Sequence, residues 1–412
     1  MNKRKIINDP VYGFISISND LLFDLIQHPY FQRLRNILQL GLTNLVYPGA
    51  SHTRFQHSLG AMHLMQEALD VLKYKDVNIT KEEEEATLAA ILLHDIGHGP
   101  FSHTLEHILI ENISHETLTD LFLEALNDEF NGKLNLAIQI YNNTYPKHFL
   151  HQLVSGQLDV DRLDYLTRDS FFTGVSEGII GTKRIIKMLN VVDNELVADI
   201  KALYSIEKFI ISRRLMYWQV YLHKTVHAIE AMLIQILRRA KTLIRQGDQL
   251  SIPPSLRFFF EKELSVEDFQ ATDELLTAYA DLDDRDIWYC IKMWRTHPDF
   301  VLAELSKRVY YRNLFKIEVN EKDFESNYIQ AIKQETSSTF KLSQTENEYF
   351  VIHGKMENRA YNKTLPPIRI LDKNGKLQAL ETLSDHLNHR TLSEIVNKYF
   401  LCYPKQIKVG NS

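Results

Sequence analysis

The chain has 412 residues, of which 44% are hydrophobic and 24% are charged, so it can form one large core or two unequal domains. Its formal net charge of -6 argues against a non-specific nucleic-acid binder, because such proteins usually carry a basic excess. The two cysteines are far apart, no apolar run follows the basic N-terminus, and no stretch approaches about 20 apolar residues. We therefore expect a cytoplasmic protein without disulfides, signal peptide or membrane span.

The sequence of residues from about 18 to 300 predicts one helix after another. Apolar residues recur at helical spacing in segments 21–26 and 55–72, and longer helical patterns cover about 206–244 and 273–307. Segment 86–93 is apolar nearly all round, which is typical of a helix buried inside a bundle. The first three quarters of the chain are therefore predicted to be a helical domain.

The pattern changes near residue 308. Segments 309–311, 315–319, 349–352 and 368–371 alternate or carry β-type residues, and 372–376 is a strong turn signal. The predicted fold class is mainly α. We expect a helical domain over 1–305 and a smaller α+β region over 306–412.

Histidine is concentrated near one buried helix. Eight of the 17 histidines lie between His52 and His115, and His94 and Asp95 directly follow the apolar segment 86–93. Burying this pair costs several kcal/mol unless its charge is neutralised, which a metal ion can do. Such nitrogen and oxygen donors suit Mn, Fe, Zn or Ni, and at a more open site Mg. The alternative is a His–Asp hydrogen bond that only closes the helix end.

A second acidic segment offers a further ligand. In a helix, Asp161, Tyr165 and Arg168 fall on one face, where they could hold a metal, a sugar and a phosphate in sequence. The alternative interpretation is a surface pair between Asp164 and Arg168, worth about 0.3 kcal/mol.

The remaining histidines of this region can each be read in two ways. Each could be an ordinary core histidine, or together with nearby glutamates they could supply general acids and phosphate donors. These residues are His98, His103, His107, His115, Glu106 and Glu116.

Six motifs occur in order along the chain: NDPVYG at 8–13, FQRLR at 31–35, QLG at 39–41, PGASHTRFQHSLG at 48–60, HDIGHGPFSH at 94–103 and DVDRLDY at 159–165. In this combination the sequence resembles the HD-domain deoxynucleoside triphosphate triphosphohydrolases. These include the sterile-alpha-motif and HD-domain type and its bacterial dGTPase-like relatives. We expect no sterile-alpha-motif domain. The resemblance implies an HD-domain catalytic bundle over 1–305 and a regulatory or oligomerisation region over 306–412.

The resemblance also implies roles for individual residues. The implied ligands of a divalent metal ion are His57, His94, Asp95 and Asp161. The implied catalytic group comprises the leaving-group histidine His103, the pair His115 and Glu116, and Glu106 in place of a family aspartate. The implied substrate contacts are Arg54, Arg162, Tyr165 and Arg213 on the triphosphate, His98 on a phosphate, Gln39 and Asp169 on the sugar 3′-hydroxyl, and Tyr221 against the 2′ position.

The expected reaction is metal-dependent hydrolysis of a deoxynucleoside triphosphate to deoxynucleoside and inorganic triphosphate. The alternatives are a phosphodiesterase acting on cyclic nucleotides or nucleic acid, and a catalytically silent nucleotide sensor. The resemblance further implies a homo-oligomer, either a dimer or a tetramer.

An allosteric nucleotide site is implied at Lys5, Gln27 and Arg35. Gln27 replaces a family aspartate that recognises guanine, and an amide complements adenine better. We therefore expect any activation to favour dATP or ATP over GTP. The alternative is that Gln27 is an ordinary exposed residue and no such site exists.

Overall fold

The computed structural model describes residues 5–358, 366–384 and 396–409. In these parts of the chain the fold is mainly helical with small sheets, as predicted. The helices are α1 Asp20–Gln27, α2 Pro29–Gln32, α3 Arg54–Tyr74, α4 Lys81–Leu93, α5 Glu106–Leu109, α6 His115–Glu129, α7 Asn135–Tyr141, α8 His148–Val154, α9 Val160–Thr173, α10 Thr182–Lys187, α11 Leu203–Met216, α12 Lys224–Arg245, α13 Pro254–Glu261, α14 Val266–Ala271, α15 Asp273–Ala280, α16 Asp284–Trp294, α17 Phe300–Tyr310, α18 Ser326–Phe340, α19 Gln344–Asn347 and α20 Leu380–Leu383.

Three small sheets accompany the described helices. The strands are β1 Lys5–Asp9, β2 Gly13–Ile17, β3 Leu189–Val192, β4 Glu195–Asp199, β5 Lys316–Asn320, β6 Ile352–Asn358, β7 Arg369–Leu371, β8 Leu377–Ala379 and β9 Val396–Tyr403. β1 and β2 form an antiparallel hairpin, and the second sheet has the order β3-β4-β7-β8. In the third sheet β9 lies between β5 and β6 and is antiparallel to both.

Local sequence signals fix the ends of the helices around the site. α3 begins with a capping box formed by Thr53 and Gln56, and α4 begins with one formed by Thr80 and Glu83. The Asp159 side chain accepts from the Arg162 backbone N–H and caps α9. These caps set where each helix starts and therefore which of its residues face the centre of the bundle.

The centre of the helical region is α3, which packs against α4 on one side and α9 on the other. Gly60 lies at the contact of α3 with α9, where a Cβ would collide with Arg168 and Asp164. α4 is buried along most of its length, as its apolar sequence predicts. The three helices therefore approach closely enough for their polar side chains to meet.

One hydrophobic core extends from the helical region into the C-terminal region. It includes Leu92 of α4 and Leu163 of α9, and also Phe315, Phe350 and Phe400. A smaller cluster forms under the third sheet around Leu401 and Tyr403. The division at residues 305 and 306 stays a prediction.

Several predicted elements have different bounds in the structure. Segment 309–311 completes α17 and a turn instead of forming a strand, because Val309 continues the buried face of α17 while the two tyrosines after it are exposed. Residues 349–351 are a turn and bend, and β6 starts only at Ile352. The long pattern at 206–244 divides into α11 and α12, separated by a π-helical turn at Tyr217–Tyr221. The strands predicted at 315–319 and 368–371 and the turn at 372–376 are confirmed.

Within the described residues, no helix is both long and apolar enough to cross a membrane. The two cysteines, Cys290 and Cys402, are buried and free.

Candidate metal centre and active-site cavity

Three helices bring four metal-type side chains together. His57 comes from α3, His94 and Asp95 follow the end of α4, and Asp161 lies in the first turn of α9. The Nε2 atoms of His57 and His94 are 3.3 Å apart, and they lie 3.1 and 3.5 Å from Asp161 Oδ1. His94 Nε2 is 3.4 Å from Asp95 Oδ1. Donors about 2.1 Å from a common ion lie roughly 3.0–3.4 Å from one another, so this spacing fits a divalent cation.

The outer hydrogen bonds of the two histidines point to the same conclusion. His57 Nδ1 lies 2.7 Å from Asp164 Oδ2, and His94 Nδ1 lies 2.7 Å from the Ile91 carbonyl. Each acceptor takes a proton from Nδ1, so a neutral imidazole leaves the Nε2 lone pair facing the centre. Two bare Nε2 atoms beside two carboxylates form a donor set that a cation satisfies.

A buried ion network supports the centre from behind. Asp164 accepts from Arg168 Nε at 3.0 Å, and Arg168 also donates to Asp9 at 2.8 Å. Asp164 and Arg168 do form an ion pair, but both are fully buried, so the alternative interpretation of a surface pair is wrong. Arg168 therefore anchors the N-terminal hairpin to α9, and it was also wrong to place it on a substrate-binding face.

The electrostatics of the centre favour positive charge. Burial opposes a charged His57, but the Asp161 and Asp164 carboxylates raise its pKa to about 10. Burial likewise opposes charge on Asp161, while hydrogen bonds from His57 and His94 lower its pKa. A cation at this position, either a proton or a metal ion, relieves the buried carboxylates.

A second group of histidines lies beside the metal-type cluster. His98 stacks on His115 with ring centroids 3.9 Å apart, and His103 meets both rings edge-on. Glu106 bridges the group, because its Oε2 lies 3.2 Å from His103 Nδ1 and its Oε1 lies 2.7 Å from His115 Nδ1. Glu106, whose side chain is longer than that of the family aspartate it replaces, therefore reaches His103. Glu116 is mostly exposed and lies 3.3 Å from His115 Nε2.

These histidines differ in exposure. The His98 side chain is 3% exposed, and burial together with nearby Arg54 holds its pKa well below the ordinary value, so it is neutral. The His103 side chain is 70% exposed with its Nε2 edge available. The protein thus offers a fixed neutral imidazole next to an accessible one.

A cavity of about 680 Å³ opens in front of both clusters. On one side it is lined by Gln39, Asp169 and Tyr221. Tyr221 donates its hydroxyl to Asp169 at 2.7 Å, and His52 holds the other Asp169 oxygen at 2.7 Å. The buried Gln39 Oε1 has no hydrogen-bond partner among the described residues, so it is ready to accept from a ligand.

The two cationic side chains predicted near the metal-type cluster differ in whether they line the cavity. Arg54 lines the cavity, where it pairs with Asp95 and donates to Ser102 at 2.7 Å. Arg162 is not among the residues that line the cavity, and its guanidinium donates to Asp159 and to the Gly156 carbonyl.

Of the two further predicted substrate contacts, one on α11 and one on α9, only the one on α9 lines the cavity. Arg213 is buried beside Tyr165 and Tyr217, with an Nε that has no partner in the described structure. Tyr165 lines the cavity itself.

The three residues predicted to bind an activator lie outside this cavity. Lys5 is exposed on β1, and Gln27 is exposed at the end of α1. Arg35 is exposed, donates to Gln32 at 2.8 Å and stacks over the Phe55 ring. Their joint role stays a prediction.

Several residues that no sequence pattern predicts reach the cavity from distant segments. α12 contributes Glu230 and Arg238, and the C-terminal strands contribute Ile352 and Phe400. Nothing in their local patterns distinguishes them from ordinary surface or core residues. His52 lies in the motif at 48–60, and this position is the sequence signal that marks it as a candidate site residue.

The comparisons with known proteins place the chain in a family. Residues 54–169 match the HD domain model, and residues 180–251 match a model described as an HD associated region. A crystal structure of a phosphohydrolase from Bacteroides thetaiotaomicron is 51% identical, with a TM-score of 0.94 over 97% of this chain and 99% of that one. The uncharacterised protein YwfO of Bacillus subtilis is 32% identical over 93% of this chain and 88% of its own length. The chain belongs to the HD-domain phosphohydrolases.

Two more distant relatives carry a named activity. The Dictyostelium discoideum homologue of the deoxynucleoside triphosphate triphosphohydrolase SAMHD1 is 32% identical over 60% of this chain and 52% of its own length. Human SAMHD1 is 29% identical over 78% of this chain and 58% of its own length. Both are substantially longer than the segment that matches.

Proposed function

We propose that the protein hydrolyses deoxynucleoside triphosphates, dGTP among them, to deoxynucleoside and inorganic triphosphate. The observation that carries the proposal is one cavity in which the metal-type cluster, the His103–Glu106 pair and the Gln39–Asp169–Tyr221 group all meet. A phosphoryl group, a leaving oxygen and a sugar each find a matching partner there. The similarity to proteins named deoxynucleoside triphosphate triphosphohydrolases supports the same substrate class.

The residues that would hold the divalent ion are His57, His94, Asp95 and Asp161. When bound, the ion supplies a Lewis acid and lowers the pKa of a water molecule. Arg54 presents a guanidinium to the phosphates while it is held by Asp95 and Ser102. Asp164 holds His57 in the tautomer that leaves Nε2 free.

Departure of the nucleoside requires a proton on its 5′-oxygen. His103 can carry that proton on Nε2, because Glu106 accepts from its Nδ1 and stabilises the imidazolium. Glu106 also fixes His115, on which the neutral His98 stacks. His98 can therefore donate to a phosphate oxygen without adding charge.

Recognition of the sugar would fall to the opposite wall. Gln39 Oε1 can accept from a 3′-hydroxyl, and Asp169 is oriented by His52 and Tyr221. The Tyr221 ring then lies where a 2′-hydroxyl would need space, so ribonucleotides should be poor substrates. Arg162, Arg213 and Tyr165 would complete the triphosphate site from the α9 and α11 side.

The test is to incubate the protein with each dNTP and Mn²⁺ or Mg²⁺ and to separate the products by ion chromatography. Free triphosphate and a deoxynucleoside in equal amounts are expected. The Asp95→Ala variant should lose both bound metal and turnover while its helical CD spectrum is retained. Pyrophosphate with a monophosphate, or cleavage of cyclic nucleotides alone, would contradict the proposal.

Regulation is a further part of the proposal. Lys5, Gln27 and Arg35 would bind an activating nucleotide, with the Gln27 amide favouring adenine. The assay is dGTP hydrolysis with and without ATP, dATP or GTP, in wild type and in Gln27→Asp. Activation of the wild type by GTP alone would contradict this assignment.

A further inference from the structure

The active-site cavity adjoins a second cavity along α12. The second cavity, of about 590 Å³, shares Gln235, Arg238 and Ile352 with the first. Both volumes lie in the range of small-molecule sites. One helix, α12, therefore lines both cavities.

The side chains that α12 contributes are more basic in the second cavity than in the first. Glu230 lines only the first cavity and Arg238 lines both. Lys241 and Arg245 line only the second cavity, which we call the α12 groove. Arg238 and Arg245 are seven residues apart, so they lie on the same helix face about 10 Å apart along the axis. Both side chains are exposed, while Lys241 is buried between them.

The three cations differ in how far their charges are neutralised. The Arg238 guanidinium forms no ion pair or hydrogen bond with the residues that the structure describes. Arg245 lies 3.6 Å from the exposed Glu263, a weak surface contact, and Lys241 donates to the Leu109 carbonyl at 3.2 Å.

The groove also contains two acids. Glu348 is already paired with Lys333 at 2.6 Å, and Glu111 is exposed at the edge. Arg238, Lys241 and Arg245 therefore face two carboxylates, Glu111 and the Glu263 partner of Arg245. Among the described residues this leaves one net positive charge, at Arg238.

We infer that the α12 groove is a binding subsite for an oligophosphate chain. Linked phosphates present several negative charges along a line, which matches arginines two helical turns apart. Under the proposed function, on which this inference rests for the identity of its ligand, inorganic triphosphate leaving the metal centre would occupy the groove. A second nucleotide could present the same chemistry through its own triphosphate.

The test measures binding, so its result does not depend on turnover. A dGTP analogue with a methylene group in place of the 5′-oxygen first saturates the active site. Sodium triphosphate is then titrated in by calorimetry at low ionic strength, with Mg²⁺ in excess so that chelation does not strip the centre. The titration is repeated without the analogue.

The variants are Arg238→Glu and Arg245→Glu. The control is Arg285→Glu, which makes the same change in charge at an exposed position at the start of α16. We expect triphosphate to bind the analogue-saturated wild type and each groove variant to weaken that binding about tenfold, because a repulsion replaces an attraction at short range. The control should bind as the wild type does. Added salt should weaken the wild-type interaction.

Loss of all triphosphate binding on saturation with the analogue would overturn the inference. So would groove variants that bind like the control. ATP and ADP titrated in the same way separate a second nucleotide from free product: tighter binding of ATP than of triphosphate would identify a nucleotide, and the reverse would identify the product. A protein that binds triphosphate in the groove but hydrolyses no dNTP would retain the subsite and reject only the proposed activity.

Discussion

Individual carboxylates in this protein serve two partners at once. Asp164 accepts from the His57 imidazole and from the Arg168 guanidinium, and Glu106 joins His103 to His115. A carboxylate has two oxygens and about four acceptor positions, so this double use leaves little unsatisfied. It also means that a substitution at such a position changes the orientation of two neighbours.

The Glu106→Gln substitution should lower kcat by about 10²–10³-fold if the proposed reaction is correct, because an amide cannot accept from both histidines or stabilise an imidazolium. KM should change much less, since Glu106 lies behind His103. Steady-state kinetics with dGTP provides the measurement, and Glu116→Gln, at a mostly exposed position, is the matched control. Equal kinetics in wild type and Glu106→Gln would show that His103 needs no such partner.

Glu106 also predicts a pH dependence of stability. Burial opposes its ionisation, but hydrogen bonds from His103 and His115 hold its pKa below the ordinary value. Its contribution to stability is therefore present above about pH 4.3 and is lost as the pH falls further. Urea unfolding between pH 3.5 and 6 should show a shallower decline for Glu106→Gln than for the wild type. Parallel curves would contradict the assignment.

Tyr221 is the side chain expected to exclude ribonucleotides. Tyr221→Ala should narrow the ratio of dGTP to GTP turnover, because it removes the ring from the sugar wall and frees space for a 2′-hydroxyl. Tyr221→Phe separates the two roles of the residue, since it keeps the ring but removes the 2.7 Å hydrogen bond to Asp169. The Phe variant should keep its discrimination and raise KM. Wild-type hydrolysis of GTP as fast as dGTP would show that Tyr221 has another role.

At the scale of elements, one buried carboxylate at the start of α16 holds two loops that line the cavity. The buried Asp284, in the first turn of α16, accepts the backbone N–H of Leu38 at 2.9 Å and that of Phe101 at 2.8 Å. Phe101 and Ser102 have φ values of 51° and 47°, a left-handed conformation that costs free energy for residues other than glycine. Asp284 thus ties the segment before Gln39 to the segment before His103.

The Asp284→Ala substitution should lower the free energy of unfolding by about 2–4 kcal/mol, because it leaves two buried N–H groups without acceptors. Turnover should fall as well, since the loop that carries His103 loses its anchor. Asp283→Ala is the matched control: it removes only the cap of α16, and we expect a loss of about 1 kcal/mol with turnover retained. Urea denaturation and dGTP kinetics on both variants measure the difference. Equal stability losses would argue against the anchoring role.

The elements also show what the sequence could and could not predict. Segment 86–93 was predicted to be a buried helix because its apolar residues cover every face, and α4 is such a helix. The pattern at 309–311 was mistaken for a strand, because three apolar and aromatic residues cannot distinguish a strand from the last turn of a helix. Side chains such as Glu230 and Phe400 reach the cavity by tertiary packing between distant segments, which no local spacing encodes.

At the scale of the whole molecule, the metal-type centre joins three helices that are distant in sequence. A divalent ion that binds the folded chain should therefore stabilise it, by about 2.7 kcal/mol at a free concentration 100-fold above Kd. Chelation followed by addition of Mn²⁺ should lower and then restore Tm in differential scanning calorimetry. Asp161→Ala should abolish the Tm response to the metal, whereas Asp24→Ala, which removes a carboxylate from α1, should keep it. A Tm that does not respond to either treatment would argue against a resident ion.

The extent of the cooperative unit follows from the core. Phe315, Phe350 and Phe400 pack into the same hydrophobic cluster as α4 and α9, and Phe400 also forms part of the cavity wall, with its ring 4.4 Å from that of His227. A chain ending at residue 305 would expose this apolar surface and open the active site, so we expect it to be aggregation-prone and inactive even though it retains every metal-type ligand. Phe400→Ala in the full chain should stay folded, lose about 3–5 kcal/mol of stability and bind dGTP more weakly with its metal content intact. Size-exclusion chromatography, metal analysis and dGTP kinetics on both proteins provide the measurement. A monodisperse and active 1–305 chain would instead establish residues 306–412 as a separate domain, with a boundary where the sequence pattern changes.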